Sequence, residues 1–516
     1  MGAPVVPDSA LVQEPRNVAD TLRRAAQISP DKPALIWQDR SLTWAELDHR
    51  VDLVAAGLGA LDLPPVAGHP ARVAIALSNV PAFAEAYFAV LRAGLVAVPV
   101  NPGYTGRELR HVLADSGASV LVATPQVLDA VEPVAEGLPL RHRYLADALP
   151  EAAAGSVDSG AGGEDLAALL YTSGTEGSPK GAMLSHRALL ANHGQLDGIR
   201  PAPIGTDDVL LLALPLFHAY GLNSGLGALA YHGATGVLLE RFDPAESLRL
   251  VAAHQVTLVI GVPAMFLAWS LLPEFGESFA SVRLAVSGAA PLTPATARRF
   301  LDATGHPVFE GYGLTETAPV LTSALVSPVP KPGSIGQAIP GVSLRLVYAS
   351  GDEIVVTDDD FDDDAAGSPG TDPGEIVARG DNLFSGYWPD GRDGPDRDGW
   401  WATGDVAYAD ADGDLFLVDR LRELILVSGF NVYPYEVEQV LMAHPSVREA
   451  AVLGVPHPFT GQTVKAFVVS SGSVSTEELV AYCERNLARF KCPTAIEFVD
   501  ALPHSATGKV RKAALR

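Results

Sequence analysis

Residues 73–123 read VAIALSNVPAFAEAYFAVLRAGLVAVPVNPGYTGRELRHVLADSGASVLVA, and this stretch decides the fold class of the chain. Three short apolar runs, VAIALS, VAVPVN and SVLVA, have the length and composition of buried strands. The segments between them, PAFAEAYFAVLRAG and GRELRHVLADSG, have the length and apolar spacing of helices. Strands that alternate with helices indicate a parallel sheet covered by helices, which is an α/β fold.

The same alternation returns over residues 254–313, in HQVTLVIGVP, PAMFLAWSLL, VRLAVSG, PATARRFLDATG and VFEGYG. An earlier helix is predicted to start near residue 43, where Thr43 and Glu46 have the spacing of a capping box. We therefore expect two related, helix-covered sheet subdomains. A segment rich in Ala, Gly and Ser over residues 151–163 fits a loose connection ahead of the next strand.

The amino-acid composition changes after Val347. The sequence becomes acidic and rich in turn-forming residues, and segments typical of short strands follow. This pattern predicts a small β-rich subdomain. Its acidic loop near residues 358–364 is either a partner or cation site or a solvated insertion, and the charge run favours the insertion. Helix and strand signals after Arg420 predict a small α+β domain. We expect an N-terminal domain over 1–419 and a mobile C-terminal domain over 420–516.

Composition limits the classes of function. The chain has 516 residues, 48% of them hydrophobic and 19% charged, which indicates a multi-domain globular protein. A net charge of -25 disfavours nonspecific binding to nucleic acid or anionic lipid. The two cysteines, Cys483 and Cys492, provide neither a disulfide framework nor a metal-binding cluster. The first 16 residues lack the pattern of a secretory signal, so we expect a cytoplasmic protein.

Residues 209–239 contain no Asp, Glu, Lys or Arg and are long enough to span a bilayer. Pro215, His218, Asn223 and several glycines interrupt this stretch and argue against a membrane span. We predict instead a buried strand over 209–216, a loop, and a buried helix over 222–233. Peripheral contact with a membrane stays open.

Residues 171–181 read YTSGTEGSPKG, and they do not match the pattern of a Walker loop. Their glycines, hydroxyl residues and lysine are nevertheless typical of a loop that binds phosphate. Glycines let backbone N–H groups turn toward an anion, hydroxyl groups donate hydrogen bonds, and Lys180 adds positive charge. The apolar run before the loop predicts a strand, and the residues after Pro179, with Ser185, predict a loop and then a helix. A flexible Gly/Ser surface loop is the alternative for this stretch alone.

Four further stretches place polar residues within apolar surroundings: LPLFHAYGL at 214–222, EGYGLTETAPV at 310–320, WWATGD at 400–405 and PHSATGKVRK at 503–512. With the 171–181 loop, in this order and at this spacing, they resemble the adenylate-forming superfamily. That superfamily contains acyl-CoA synthetases, adenylation domains of peptide synthetases and beetle luciferases. The resemblance covers nearly the whole chain and is strongest to bacterial fatty acyl-CoA ligases.

The resemblance implies that ATP and Mg²⁺ are used to activate a carboxylic acid as acyl-AMP, and that CoA then receives the acyl group. The catalytic residues would be Lys509, which bridges the acid and the α-phosphate, Thr315 at the α-phosphate, and Glu316, which with Thr175 would hold Mg²⁺. Taken alone, a lysine in a Gly-Lys turn is usually solvated. The other nucleotide and CoA contacts implied by resemblance are Thr172, Ser173, Gly174, Thr175, Gly177, Lys180, Gly288, Ala289, Ala290, Gly311, Tyr312, Gly313, Asp405, Arg420, Ser428, Gly429 and Phe430.

Within that set, Tyr312 would stack on adenine, and Asp405, assisted by Arg420, would accept hydrogen bonds from the ribose hydroxyls. Arg422 lies at the hinge about which the C-terminal domain would rotate between the two half-reactions. Residues 428–430 would line the route of the pantetheine arm, although Gly429 is otherwise explained as a simple turn glycine.

The chain departs from the family pattern at two places. Glu176 lies in the phosphate loop where the family usually has Thr or Ser, and a carboxylate there should repel phosphate unless it points away or assists Mg²⁺. The acidic loop near residues 358–364 is longer than the family usually has. We expect ATP affinity to be reduced by Glu176.

The acid-binding pocket is assigned by position to small or apolar residues and two polar ones. They contain no Asp, Arg or Lys that could recognise an amino group or a second carboxylate. A medium- or long-chain fatty acid fits best, and an aryl acid such as a cinnamate or benzoate is second. The pocket residues are His218, Tyr220, Gly225, Val262, Gly288, Gly311 and Val320; for His218 alone, a structural role is the commoner explanation.

Three functions compete. The first is an acyl-CoA ligase, the second an acyl-AMP ligase that loads a carrier protein, and the third an inactive nucleotide- or lipid-binding relative. The presence of Thr315, Glu316, Asp405, Arg420 and Lys509 argues against the third. The sequence ends at Arg516 without a carrier segment, which favours CoA, and we expect a monomer or homodimer.

Overall fold

A computed structural model of the chain describes residues 14–153, 155–172, 179–348, 350–354, 370–420, 423–427, 430–504 and 510–515. The side chains of residues 419, 420, 430, 431 and 513 lie outside this description. Among the helices of the described ranges, none has the length and apolar content needed to cross a membrane.

The N-terminal part folds around a six-stranded sheet whose strand order is β6-β5-β3-β4-β7-β8. The strands are parallel except for the β7–β8 pair at the edge. The elements in chain order are α1 (Val18–Ile28), β1 (Pro33–Trp37), β2 (Arg40–Thr43), α2 (Trp44–Gly59), β3 (Arg72–Ala76), α3 (Pro81–Arg92), β4 (Val96–Pro99), α4 (Gly106–Ser116), β5 (Val120–Ala123), α5 (Pro125–Val131), β6 (His142–Leu145), β7 (Leu166–Thr172), β8 (Lys180–Ser185) and α6 (His186–Asp197).

A second sheet of nine strands has the order β15-β14-β13-β12-β11-β9-β10-β1-β2. Its central strands are parallel and its edges are antiparallel. The further elements are β9 (Val209–Leu212), a π-helix (Tyr220–Gly227), α7 (Ala228–His232), β10 (Thr235–Leu238), α8 (Pro244–Ala253), β11 (Leu258–Gly261), α9 (Pro263–Ser270), α10 (Phe275–Ser278), β12 (Leu284–Ser287), α11 (Pro294–Thr304), β13 (Val308–Gly313), β14 (Val320–Ser323) and β15 (Gln337–Ala338). The two predicted helix-covered sheets are confirmed.

Local sequence sets several of these boundaries. Thr43 caps α2, because its hydroxyl accepts from the N–H of Glu46 at 3.2 Å while the Glu46 carboxylate accepts from the N–H of Thr43 at 2.8 Å. The helix start predicted near residue 43 is confirmed. Ser185 caps α6 in a similar way, with its Oγ accepting from the N–H of Ala188 at 3.1 Å.

The uncharged stretch over 209–239 is buried inside the protein, as predicted, with two differences. The strand β9 ends at Leu212 rather than at residue 216. The helix begins at Tyr220 instead of Leu222, and its first two turns have π geometry. Gly221 explains why the chain can turn so tightly there, since a Cβ at this position would lie 2.3 Å from the carbonyl oxygen of Pro215.

The small β-rich subdomain is a four-stranded antiparallel sheet. Its strands are β16 (Ser343–Val347), β17 (Gly374–Arg379), β18 (Trp401–Ala409) and β19 (Leu415–Arg420). The acidic loop near residues 358–364 lies outside the described residues.

A separate five-stranded sheet with two helices follows, as predicted for an α+β unit. It contains β20 (Ile425–Val427), β21 (Phe430–Val432), α12 (Pro434–Met442), β22 (Val447–His457), β23 (Gly461–Ser470), α13 (Thr476–Asn486) and β24 (Ala495–Phe498). Cys483 and Cys492 are free thiols buried in its core. The domain boundary at residue 420 remains a prediction.

Candidate active site

The phosphate loop predicted at 171–181 lies between β7 and the edge strand β8, which pair with each other. Thr172 pairs with Lys180 across this hairpin, so the two ends of the loop are held together by the sheet. Residues 173–178, with Ser173, Gly174, Thr175, Glu176 and Gly177, lie outside the described residues. The prediction of a loop directly after Pro179 is wrong, because residues 180–185 complete the hairpin as a strand before α6 begins.

Lys180 leaves the hairpin with its side chain 43% exposed. Its Nζ lies 3.5 Å from a carboxylate oxygen of Asp393 and 5.1 Å from the centroid of the Tyr387 ring. The ring face is attractive to an ammonium group. An anion that binds this lysine therefore competes with an exposed carboxylate for the same charge.

Tyr387 also contacts Glu316, one of the predicted catalytic residues. The Tyr387 hydroxyl donates to Oε1 of Glu316 at 2.5 Å, and the Glu316 side chain is buried. Glu316 and Thr315 lie in a short 3-10 turn over Thr315–Thr317, between β13 and β14. Tyr387 thus joins Lys180 of the β7–β8 hairpin to the turn that carries Thr315.

The segment 384–388 makes this connection because its backbone follows β8. The N–H of Trp388 donates to the carbonyl of Gly181, and the N–H of Ser385 donates to the carbonyl of Met183. The N–H of Phe384 donates to the carbonyl of Glu316 at 2.9 Å. Sequence reasoning missed Tyr387, and its aromatic position next to Trp388 gave no signal of a role at the phosphate loop.

A second pair of predicted residues also meets directly. The Tyr312 hydroxyl, at the end of β13, donates to Oδ2 of Asp405 in β18 at 2.7 Å. Asp405 is 6% exposed, and its backbone pairs with that of Arg420 in β19. The Arg420 side chain lies outside the described residues. The structure therefore brings together two residues assigned to adenine and ribose.

The segment 288–290 follows β12 and packs against the π-helix. A Cβ placed on Gly288 would lie 3.1 Å from the ring and hydroxyl of Tyr220, so a larger residue there would have to displace Tyr220 by a few tenths of an ångström. Ala289 has a φ of +68°, which is uncommon for a residue with a Cβ and is often found at functional sites. These small residues therefore keep a close approach between the two elements.

Glu310 in β13 is a further carboxylate of this region that the sequence did not single out. Its Oε2 accepts from the N–H of Leu292 at 3.0 Å, directly after the 288–290 segment. Burial raises the pKa of Glu310 from its ordinary value to about 7. The protonation state of this carboxyl group therefore changes near neutral pH.

The π-helix packs against β9, near the predicted pocket residue Gly225. An apolar cavity there is lined by Leu210, Leu211, Leu212, Leu214, Gly221, Gly225 and Ile260. Of the predicted pocket residues, Gly225 lines this cavity. Tyr220 lies against Gly288 instead, and Val262 caps α9.

His218 stands directly before the π-helix. Its Nδ1 accepts from the N–H of Tyr220 at 3.3 Å, and its carbonyl accepts from the N–H of Leu222 at 2.8 Å. These bonds show that His218 stabilises the turn. Its role beside the acid remains a prediction.

Gly311, Gly313 and Val320 belong to the β13–β14 hairpin that encloses the Thr315–Thr317 turn. A Cβ on Gly313 would lie 1.7 Å from the carbonyl oxygen of Pro319, so this position requires glycine. The hairpin therefore depends on close backbone contact to hold the turn in place.

Several predicted residues of the C-terminal part are outside the described residues: Arg422, Ser428, Gly429 and Lys509. Phe430 begins β21, and its side chain is not described. Lys509 immediately precedes Val510, whose backbone forms an isolated bridge with His504. The placement of these residues beside a bound nucleotide remains a prediction.

Within the described ranges, Asp410, Asp412 and Asp414 are the group of side chains close enough to share a metal ion. The Nζ of Lys331 lies 2.5, 2.6 and 3.1 Å from these three carboxylates. The ammonium group of Lys331 therefore offsets part of their negative charge, and the cluster forms a set of salt bridges.

Comparison with known proteins agrees with this architecture. The chain matches the AMP-binding enzyme family over residues 22–388 and the AMP-binding enzyme C-terminal domain over residues 436–509. It is 38% identical to a feruloyl-CoA synthase of Amycolatopsis sp over 499 residues, covering 96% of this chain and 97% of that protein. It is 34% identical to a long-chain-fatty-acid–CoA ligase of Escherichia coli O157:H7, covering 97% and 94%.

Among solved structures, ATP-bound MatB from Rhodopseudomonas palustris is similar, with a TM-score of 0.85, 33% identity and coverage of 97% of this chain and 98% of that one. The chain therefore belongs to the family of AMP-binding enzymes. Within that family it is an AMP-forming acyl-CoA synthetase, a class that uses ATP and CoA as substrates.

Proposed function

We propose that this protein activates an apolar monocarboxylic acid, with a medium- or long-chain fatty acid as the first candidate. In the first half-reaction, a carboxylate oxygen attacks the α-phosphorus of ATP and pyrophosphate leaves. In the second, the CoA thiol attacks the acyl carbonyl carbon of acyl-AMP, the thiol proton is lost, and AMP leaves. The observation that supports the substrate class is the uncharged, apolar lining of the cavity beside the π-helix. The cavity is nearly closed, at about 10 Å³, so the π-helix would have to move for an acid to enter.

Four residues are proposed to contact ATP. Lys180 attracts the β- and γ-phosphates, and Thr315 donates to the α-phosphate. Asp405 accepts from the ribose hydroxyls, and Tyr312 packs against adenine. The Tyr312–Asp405 hydrogen bond is compatible with both tasks, because each carboxylate oxygen accepts more than one hydrogen bond and the Tyr312 ring face is not used by that bond.

Glu316 is proposed to hold Mg²⁺. A carboxylate oxygen is the hard donor that this cation prefers, and Glu316 is buried in the turn next to Thr315. Bound Mg²⁺ would supply positive charge to offset the phosphate oxygens. Tyr387 would orient the carboxylate through its hydrogen bond at Oε1.

Lys509 is proposed as the catalytic lysine of adenylation, carried by a C-terminal domain that begins near residue 420. This domain would rotate about Arg422 after the first half-reaction. Residues 428–430 would then line the path of the pantetheine arm.

A cinnamate-type aryl acid is the second candidate substrate. The similarity to a feruloyl-CoA synthase at 38% identity favours it, while the 34% identity to a fatty-acid ligase favours the first candidate. Both acids are compatible with an apolar cavity. The acceptor is proposed to be CoA rather than a carrier protein.

We further propose a cytoplasmic location and a monomeric or homodimeric state. The two buried thiols, Cys483 and Cys492, are free, which fits a reducing compartment.

The test is a panel of acids assayed for AMP release with and without CoA. Octanoate and palmitate represent fatty acids, ferulate and benzoate represent aryl acids, and lysine and succinate serve as charged controls. We expect the highest kcat/KM with a fatty acid, acyl-CoA as the product, and no turnover of the controls. Ferulate as the best acid would support the aryl candidate, and equal, background rates with every acid would support an inactive binding protein.

A further inference from the structure

Asn223 has a buried side-chain amide in the π-helix. Both polar atoms of this amide form hydrogen bonds, to α6 and to the segment that follows the Thr315–Thr317 turn. Its Nδ2 donates to the carbonyl of Ala318 at 2.7 Å and to the carbonyl of Leu189 at 3.1 Å. Its Oδ1 lies 3.0 Å from Nε2 of His193. Because an amide oxygen only accepts, His193 must carry its proton on Nε2. Burial lowers the pKa of His193 to about 3, so the imidazole is neutral at physiological pH.

This contact requires close packing around the amide. A Cβ placed on Gly227 would lie 2.6 Å from Oδ1 of Asn223 and 2.9 Å from Nε2 of His193. Only glycine leaves room there for the His193–Asn223 hydrogen bond. The π-helix and α6 are therefore joined by a polar contact inside an apolar core, and such buried contacts are costly to leave unmade.

The carbonyl of Ala318 belongs to the turn that carries Thr315 and Glu316. Two other buried amides hold the same turn. Asn192 donates to the carbonyl of Val320 and accepts from its N–H, at 2.9 and 3.2 Å. Asn382 donates to the carbonyls of Thr317 and Val320, at 2.7 and 3.0 Å.

Asn223 differs from these two amides in its position. Its own helix provides Gly221 and Gly225 to the apolar cavity. The same helix carries Tyr220, whose ring lies against Gly288. Asn223 is thus the amide that connects the wall of the proposed acid pocket to the turn beside the proposed α-phosphate position.

We propose that Asn223 is a positioning residue that couples occupancy of the acid pocket to the placement of Thr315 and Glu316. The coupling rests on the proposed function of the site and acts through the carbonyl of Ala318. When an acid fills the cavity and moves the π-helix, the amide transmits that movement to the turn. Correct placement of reacting groups is worth large factors in rate, and small misplacements can reduce a rate about 100-fold.

The primary variant is Asn223→Asp, which has nearly the same shape but replaces the Nδ2 donor with a carboxylate oxygen. That oxygen would face the carbonyls of Ala318 and Leu189. The matched control is Asn17→Asp. Asn17 is also buried, donates to two carbonyls, of Leu91 and Ala161, and accepts from the N–H of Ala19, but it caps α1.

We expect Asn223→Asp to lower kcat of ATP–pyrophosphate exchange about 10- to 100-fold, and Asn17→Asp to lower Tm without lowering kcat. Hydrogen exchange provides the readout of coupling. In the unmodified protein, adding an accepted acid without ATP should slow amide exchange over residues 315–320, and Asn223→Asp should remove that effect. Asn223→Ser, which is smaller and keeps one donor, should have an intermediate kcat.

An unchanged kcat in a folded Asn223→Asp protein, or an equal loss of kcat in Asn17→Asp, would overturn the proposal. If Asn223→Asp does not fold, Asn223→Ser decides: a kcat equal to that of the unmodified protein overturns it, and a reduced kcat with lost acid-dependent protection supports it. If the unmodified protein shows no exchange with any acid, the proposed function fails, and this outcome is distinct from failure of the coupling.

Discussion

Tyr387 donates a hydrogen bond to Glu316 at 2.5 Å, and its ring lies beneath the ammonium group of Lys180 at 5.1 Å. The Tyr387 side chain therefore contacts both Lys180, in the β7–β8 hairpin, and Glu316, the carboxylate proposed to hold Mg²⁺. We have proposed that Lys180 and Glu316 face the triphosphate of ATP. Tyr387 would orient both of these charged groups without itself contacting the nucleotide. This relationship predicts how the site responds when the hydroxyl is removed.

Tyr387→Phe keeps the ring beneath Lys180 but leaves Glu316 without this donor. We expect kcat/KM for ATP in pyrophosphate exchange to fall about tenfold, since a hydrogen bond to a charged group contributes about 1.5 kcal/mol or more. The Mg²⁺ concentration needed for half-maximal rate should rise. The control is Tyr348→Phe, which removes a comparable bond to Asp372, 3.0 Å long and exposed. Equal effects of the two variants would contradict the role of Tyr387.

Lys509→Ala should remove most acyl-AMP formation, because positive charge is lost where negative charge develops in the transition state, with a decrease of about 100-fold or more. Thioester formation from supplied acyl-AMP should be largely retained. Pyrophosphate exchange and CoA-dependent AMP release measure the two half-reactions separately. Lys491→Ala provides a control in the same domain, because that lysine pairs with Glu436 at 2.7 Å. Unchanged exchange in Lys509→Ala would refute the assignment.

Glu176→Thr should leave activity unchanged or increase it. The substitution removes a negative charge from the predicted phosphate loop, so KM for ATP should stay the same or decrease. Initial rates at varied ATP and fixed Mg²⁺ measure this directly. A large loss of activity would instead give Glu176 a positive role, such as assistance to Mg²⁺.

Glu310 predicts a pH dependence of stability. Its pKa is raised from 4.5 to about 7 in the folded protein, so the folded state favours the protonated form. The contribution of this group to the free energy of unfolding is therefore complete below pH 4.5 and is lost as pH rises through 7. Because each pKa unit corresponds to about 1.4 kcal/mol, the rise from 4.5 to about 7 limits the loss to about 3.5 kcal/mol.

Glu310→Gln keeps the acceptor for the N–H of Leu292 but does not ionise. Urea unfolding at pH 5 and pH 8 should show that this variant loses less stability between the two values than the unmodified protein does. Parallel changes in both proteins would show that Glu310 ionises outside this range.

The amino-acid sequence by itself determined the local structure and the chemical groups from which a site could be built. The alternation in residues 73–123 follows from backbone geometry, since strands of four to six apolar residues and helices of three turns have different periods. The capping box of Thr43 and Glu46 likewise acts over three residues. The glycines, hydroxyl groups and Lys180 of residues 171–181 indicated a phosphate loop because few other residues suit that task.

Tertiary structure decided the contacts between residues far apart in the chain. Tyr387 and Glu316 are 71 positions apart, and Asn223 and Ala318 are 95 positions apart. No local period encodes such pairs, because they depend on which strands become neighbours and on the space left between packed helices. The strand at residues 180–185 was missed for a different reason: its partner β7 is close in the chain, but the strand forms only by pairing at the edge of the sheet. The sequence therefore specified which groups are available, and packing specified which of them meet.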